Sequence, residues 1–269
     1  MSLIESILLG AIQGLTEFLP VSSSGHLVIF QELLGINQPG ILFEIVVHVG
    51  TLVAVIIYFW KDIFNLVNSL FKWGEKSNSK TSFYHNLLLY IFISTLVTGI
   101  IGFSFKEQIE PIFENLSLVG LMLLLTGTIL FISDKIKNAN KEKVGLFNSI
   151  VVGIAQSFAI LPGISRAGAT ITTGVFTGLK RELATKFSFL LSIPAIFGVS
   201  LLKIKELTGL AKSTELLFPF LLAGITAAVV GYFSITLLVK MIKRAKLIYF
   251  AAYCWLIGIF LLVYIQFII

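Results

Sequence analysis

Six stretches of this chain are apolar for the depth of a bilayer. They run over residues 41–60, 82–105, 116–133, 184–204, 216–239 and 247–269. A helix needs roughly 20 apolar residues to cross a hydrocarbon core. Of the 269 residues 13% are charged and 57% hydrophobic, whereas a soluble domain carries about 25% charged residues. The apolar content is spread along the whole chain. The sequence therefore predicts an all-α polytopic membrane protein, not a soluble domain with one anchor. Cys254 is the only cysteine. That excludes an intrachain disulfide or a cysteine metal cluster, and in its apolar run Cys254 reads as a small buried hydrophobe. No Lys or Arg precedes Lys61, so residues 2–19 read as a structural helix and not as a cleavable signal.

Two further apolar pairs are too short to span. Residues 2–19 and 21–36 are broken at Pro20, and residues 144–161 and 167–179 by Pro162 and Gly163. Charge decides how they run. The loops 61–81, 134–143, 180–186 and 240–246 hold fifteen of the twenty Lys and Arg, whereas the loops 106–115 and 203–215 balance theirs with acids. The positive-inside rule puts all four basic loops on one side only if both broken pairs enter the membrane and return. Both termini then lie outside, the first hairpin dips in from outside and the second from inside. This accounts for the net charge of +6 without nucleic acid, which is not an expected partner. Each half, 1–140 and 141–269, is then a re-entrant hairpin plus three transmembrane helices. Three spans invert the second half relative to the first, an inverted-topology repeat of ten helices and six full spans. Inverted repeats with broken helices meeting at mid-membrane are a known way to bind anions.

The polar residues concentrate at the two breaks. The first reads Gln13-Gly-Leu-Thr-Glu17-Phe-Leu-Pro20-Val-Ser22-Ser23-Ser24-Gly25-His26. The second reads Gln156-Ser-Phe-Ala-Ile-Leu-Pro162-Gly163-Ile-Ser165-Arg166-Ala-Gly168-Ala-Thr170. Gly10-x-x-Gln13 recurs as Gly153-x-x-Gln156, and Leu19-Pro20-x-x-Ser23 as Leu161-Pro162-x-x-Ser165. Charged groups at this depth cost roughly 2.5–3.5 kcal/mol each and usually face a cavity where they act. Gln13 and Glu17 share one helix face. Ser22 and Ser24 read mainly as caps of a second helix, whose free N–H groups suit an anion such as phosphate. Glu17 reads as a metal ligand or general acid/base, with capping as the plainer alternative. His26 reads as a base near a hydroxyl, or else as a core histidine. Ser23 is nucleophile or phosphate donor. Arg166, with no acid in its own segment, asks for a phosphate or a lipid headgroup. His48, mid-span among apolar neighbours, reads as a packing histidine, and His85 sits at a membrane edge.

These two motifs together closely resemble the signatures of the bacterial undecaprenyl-diphosphatase family, the bacitracin-resistance type, and the resemblance runs from the first helix to the chain's end. It implies an enzyme that removes one phosphate from undecaprenyl diphosphate, recycles the cell-wall carrier lipid and confers bacitracin resistance in the bacterial inner membrane. The expected catalytic residues are Glu17, Ser23, His26 and Arg166. Gln13, Ser22, Ser24, Gly25, Gly163, Ser165, Gly168 and Thr170 are the expected substrate contacts. A divalent cation, Mg²⁺ or Ca²⁺, is expected on Glu17 and Gln13. The family has Glu or Gln at position 13, and Gln here puts a two-carboxylate metal site in doubt.

Whether Ser23, His26 or water attacks phosphorus stays open at this level. A lipid-phosphate carrier or flippase is the rival reading, since inverted repeats also build transporters; the Ser23–His26 pair speaks against a pure carrier. Partners are the polyprenyl diphosphate and membrane lipid, with a homodimer left open. Most of the wet groups sit on the hairpin placed outside, so the site is expected to open to the external face.

Overall fold

The computed structural model describes residues 1–34, 41–71, 79–105, 108, 115–204, 217–244 and 246–268. Among these residues the chain forms eleven helices. In order they are α1 Leu3–Phe18, α2 Ser23–Leu34, α3 Ile41–Tyr58, α4 Trp60–Phe71, α5 Ser79–Ser104 and α6 Leu116–Asp134. Then come α7 Leu146–Phe158, α8 Arg166–Phe176, α9 Arg181–Ile204, α10 Leu217–Lys243 and α11 Ile248–Ile268. Five of them, α5, α6, α9, α10 and α11, are long and apolar enough to cross a membrane. The bent pair α3–α4 makes a sixth if counted as one span. Large apolar side chains such as Ile100, Phe103, Phe218, Phe233 and Leu256 are more than half exposed on these helices, as lipid-facing surfaces require. The protein is a multi-pass membrane protein.

The two short pairs behave differently from the spans. At 1.5 Å per residue, α1 and α2 reach only about 24 and 18 Å, and α7 and α8 about 20 and 17 Å, short of a core of about 30 Å. The second pair returns to its starting point. Lys141 N–H donates to Gly178 O (2.8 Å) and Lys180 N–H to Lys141 O (3.0 Å), while Asn148 Nδ2 reaches Thr177 O (3.2 Å). The segment before α7 thus lies beside the segment after α8.

One expectation fails. Residues 61–81 do not form a plain polar loop: Trp60–Phe71 is helix α4, turned by 79° from α3. Trp60, Phe64, Val67 and Phe71 form an exposed apolar stripe at helical spacing, and Leu66 and Ser69 are buried. Lys61 and Asp62 at its start hide the period in a hydropathy reading. Asp62 accepts from Lys186 Nζ and from Tyr84 Oη, both at 2.8 Å, which fixes the helix to α9 and α5.

Contacts among the basic loops bring all four to one end of the bundle. Lys186 meets Asp62. Arg181 Nη2 donates to the carbonyls of Ser133, Asp134 and Ile136 at 2.9–3.1 Å. Leu247 N–H donates to Asp134 Oδ1 at 2.9 Å. Lys72, Lys76, most of the loop 106–115 and most of the loop 203–215 lie outside the described residues.

Helix α1 packs chiefly on α10, and α7 on α5. The same glycine permits each approach. A Cβ on Gly10 would stand 2.4 Å from Ala223 O, and one on Gly153 2.8 Å from Ser94 O. Both motif glycines therefore seat a short helix directly against the backbone of a long one.

Candidate active site

The breaks after α1 and α7 meet backbone to backbone. Gly163 N–H donates to Ser22 Oγ at 3.1 Å, and a Cβ on Gly25 would stand 3.2 Å from Gly163 Cα. Two residues adopt left-handed backbone here: Gly163, φ 94°, and Ser22, φ 70°. For a non-glycine this conformation costs about 1–2 kcal/mol, and Ser22 is held in it from four directions. Its carbonyl accepts from His26 N–H (3.1 Å) and His26 Nδ1 (2.8 Å); its hydroxyl accepts from Gly163 N–H and, at 3.4 Å, from Gly25 N–H. Thr126 of α6 fixes the other break, donating to Gly163 O (2.9 Å) and accepting from Ser165 N–H (3.2 Å).

Glu17 is the hub. It is 8% exposed. Its Oε1 accepts from Arg166 Nη2 at 2.7 Å; its Oε2 accepts from Gln13 Nε2 at 3.0 Å and from Ser23 Oγ at 2.5 Å. His48 Nε2 stands 3.9 Å from Oε2. A buried carboxylate without a cation is prohibitively costly; Arg166, from the opposite break, supplies it across 149 positions of sequence. Two buried atoms at this hub have no hydrogen-bond partner among the described residues, Gln13 Oε1 and Arg166 Nη1. One is an acceptor and the other a charged donor, each costly to leave unfilled.

The expected site residues divide. Gln13, Ser23 and Arg166 all bond to Glu17. His26 does not reach Ser23. A carbonyl can only accept, so the bond to Ser22 O puts the proton on Nδ1 and leaves Nε2 to accept from Tyr253 Oη at 2.8 Å. The two rings stack with centroids 5.5 Å apart. Of the expectation that His26 draws the proton from Ser23 or from a water, the Ser23 half does not match this geometry, because Ser22 O and Tyr253 Oη take the two ring nitrogens. Among the described residues the Ser24 hydroxyl hydrogen-bonds only to Ser22 Oγ, at 3.4 Å. Ser165 caps α8, its hydroxyl accepting from Gly168 N–H at 3.0 Å. Thr170 donates to Arg166 O at 2.8 Å and accepts from Ser188 at 2.5 Å, so it braces the backbone that carries Arg166.

Three contributors escape sequence reasoning. His48 is not mere packing: α3 lies beside α1, Glu44 O takes its Nδ1 at 2.7 Å and the other nitrogen faces Glu17. Its mid-span position was the available signal. Thr126 is one of two threonines flanking Gly127 in an otherwise apolar run. Nothing in the sequence marks Tyr253.

Fold and site together define a helical membrane protein with a buried polar centre, a carboxylate–hydroxyl contact and an unfilled guanidinium N–H. The chain belongs to the bacitracin resistance protein BacA family, whose model matches residues 6–260. It is 42% identical over 267 residues to an undecaprenyl-diphosphatase of Halothermothrix orenii, covering 98% of both chains. It is 43% identical over 262 residues to one of Syntrophotalea carbinolica, covering 96% of this chain and 97% of that one. It is also 42% identical over 271 residues to one of Methanosphaera stadtmanae, covering 96% of each.

Proposed function

We propose that this chain is an undecaprenyl-diphosphatase. It hydrolyses undecaprenyl diphosphate to undecaprenyl phosphate and inorganic phosphate, recycles the carrier lipid of cell-wall synthesis and confers bacitracin resistance. One observation carries the reading beyond family membership: the Ser23 hydroxyl donates to the buried Glu17 carboxylate, 2.5 Å away. A carrier needs Arg166 to grip phosphate but has no use for an activated hydroxyl.

The chemistry follows from the contacts. The diphosphate sits where the breaks meet, against Arg166 Nη1 and the start of α2, whose dipole favours an anion. Ser23 Oγ attacks the terminal phosphorus and Glu17 takes its proton. The bond from that phosphorus to the bridging oxygen breaks, and the electron pair leaves on undecaprenyl phosphate. Glu17 gives that proton up to solvent and then deprotonates a water, which attacks the phosphoserine phosphorus. The bond from phosphorus to Ser23 Oγ breaks, Ser23 Oγ takes the proton back from Glu17, and inorganic phosphate is released. Arg166 stabilises the charge that builds on the phosphoryl oxygens. His26 holds the Ser22 turn that aims Ser23.

Gln13 Oε1 and the remaining acceptor direction of Glu17 would hold a divalent cation. No cluster of three His, Cys, Asp or Glu exists among the described residues. So thin a protein ligand set suits Mg²⁺ or Ca²⁺ that takes its other ligands from phosphate and water. When bound, such an ion neutralises part of the diphosphate charge.

Topology completes the proposal. Both short pairs are re-entrant, six helices span, and the halves 1–140 and 141–269 form an inverted repeat. The exchange of partners, α1 on α10 and α7 on α5, supports it. The basic end faces inward across the bacterial inner membrane, and the site opens outward.

Purified protein in detergent, with no compartments to transport between, should release phosphate from a long-chain prenyl diphosphate when Mg²⁺ or Ca²⁺ is present. Binding of the lipid without phosphate release would sink the enzyme reading in favour of a carrier.

A further inference from the structure

The basic end of the bundle holds an open cavity of about 350 Å³. Its lining comes from three chain-distant places: Lys137 after α6, Lys180 and Arg181 at the start of α9, and Lys243 at the end of α10. One carboxylate, Glu182, also lines it. The positive-inside rule puts lysines in these loops, but it does not make them converge on one space.

The cations are not equivalent. Arg181 is committed through Nη2 to the carbonyls that end α6 and pairs through Nη1 with Asp134 Oδ1 at 3.8 Å, and Lys180 to Glu142. Other lysines at this end also have internal partners: Lys135 over Phe131, Lys141 on Thr177 O, Lys186 on Asp62 and Lys246 over Tyr249. Lys137 and Lys243 have none among the described residues, and both line the cavity with the Asn140 amide beside them. Ile136 and Ile242 add an apolar margin. The cavity lies where the ends of α6, α9 and α10 come together, which is headgroup depth for helices that span.

We propose that this cavity binds the phosphate of an anionic phospholipid headgroup from the inward leaflet, held by Lys137 and Lys243, with the acyl chains leaving past Ile136 and Ile242. Two ammonium groups and an amide donor complement a phosphodiester, and the apolar margin favours a lipid over a free ion. The site is separate from the Glu17 hub and does not rest on the phosphatase reading.

The test is native mass spectrometry of full-length protein released from mixed phosphatidylglycerol and phosphatidylcholine micelles. Wild type should retain one phosphatidylglycerol in preference to phosphatidylcholine. Lys137→Gln with Lys243→Gln should cut that retention about 30-fold, since both ammonium groups that hold the phosphate are then neutral. Lys61→Gln with Lys240→Gln removes the same charge from exposed positions outside the cavity and should leave retention unchanged. Equal loss in both double variants would mean diffuse attraction and overturn the site. So would full displacement of the lipid by millimolar inorganic phosphate, which would make the ligand a free anion. Thermal unfolding of each variant in phosphatidylcholine alone separates lost binding from lost folding, because a specific site leaves that midpoint where wild type has it.

Discussion

The two breaks carry the same short pattern and put it to opposite uses. In both, Leu-Pro is followed three residues after the Pro by a serine at the start of a helix. Ser165 accepts from Gly168 N–H and is consumed as a cap. Ser23 instead donates to Glu17. The difference lies one helix upstream. Glu17 ends a turn that in the second half carries Ala159 and Ile160, so Ser165 has no carboxylate to serve. Gln13 and Gln156 diverge likewise: the first amide donates to Glu17, the second to Thr98 Oγ1 at 3.2 Å. The second break contributes its own asymmetry in Arg166, at the position after the serine where the first break has Ser24. In the proposed mechanism, similar local scaffolds thus become a reactive side and a clamp through a few side chains, and neither is complete alone.

That comparison can be broken most sharply at the serines. Ser23→Ala should abolish phosphate release from the purified enzyme. Ser165→Ala should keep most of the turnover and instead lower stability by about 1 kcal/mol, the loss of one N-cap, read as a drop in unfolding midpoint. Comparable rates in the two variants would end the assignment of Ser23 as nucleophile.

Glu17→Gln comes next. It removes the proposed base and strands Arg166 with a neutral partner, and kcat should fall about 10²–10⁴-fold in protein that remains monodisperse by size exclusion. Radiolabel from a terminally labelled diphosphate should no longer be trapped on Ser23.

A smaller effect sharpens the role of His26. Tyr253→Phe keeps the stacked ring and deletes one hydrogen bond, worth about 1 kcal/mol. The turnover rate should drop about 5-fold with KM unchanged, and Tyr253→Ala should lose more. If His26 were itself the base for Ser23, Tyr253→Phe would move the pH profile of kcat and not just its height.

The smallest effect lies far from both breaks. Lys180 holds the exposed Glu142 carboxyl below its ordinary value of 4.5. A depressed folded value gives stability that is present above pH 4.5 and lost as pH falls through the folded value. Because Glu142 is fully exposed, solvent screens the pair. Glu142→Gln should leave both rate and unfolding midpoint at neutral pH unchanged, and a shift of several degrees would show that the pair holds the second hairpin closed.

Much of this molecule was determined by sequence alone, because membranes impose coarse rules. Apolar runs must be helices, and basic loops must share a side. The four basic loops do gather at one end, through Asp62, Asp134 and the Lys141 pairing. The concentration of Glu17, Ser23 and Arg166 at two breaks was legible for the same reason: polar groups at such depth stand out from an apolar background. Helix α4 was not legible, since Lys61 and Asp62 masked an amphipathic period that only packing on α5 and the Asp62–Lys186 pair to α9 make useful. The hydrogen-bond partners were beyond reach. His26 stands three residues from Ser23 in the chain, yet its ring is claimed by Ser22 O and by Tyr253, 227 positions away. Glu17 takes its cation from 149 positions away. Sequence marks which groups cannot face lipid. Which group each one bonds is decided by how helices from opposite halves pack, because a hydrogen bond depends on a few tenths of an ångström that no spacing along the chain encodes.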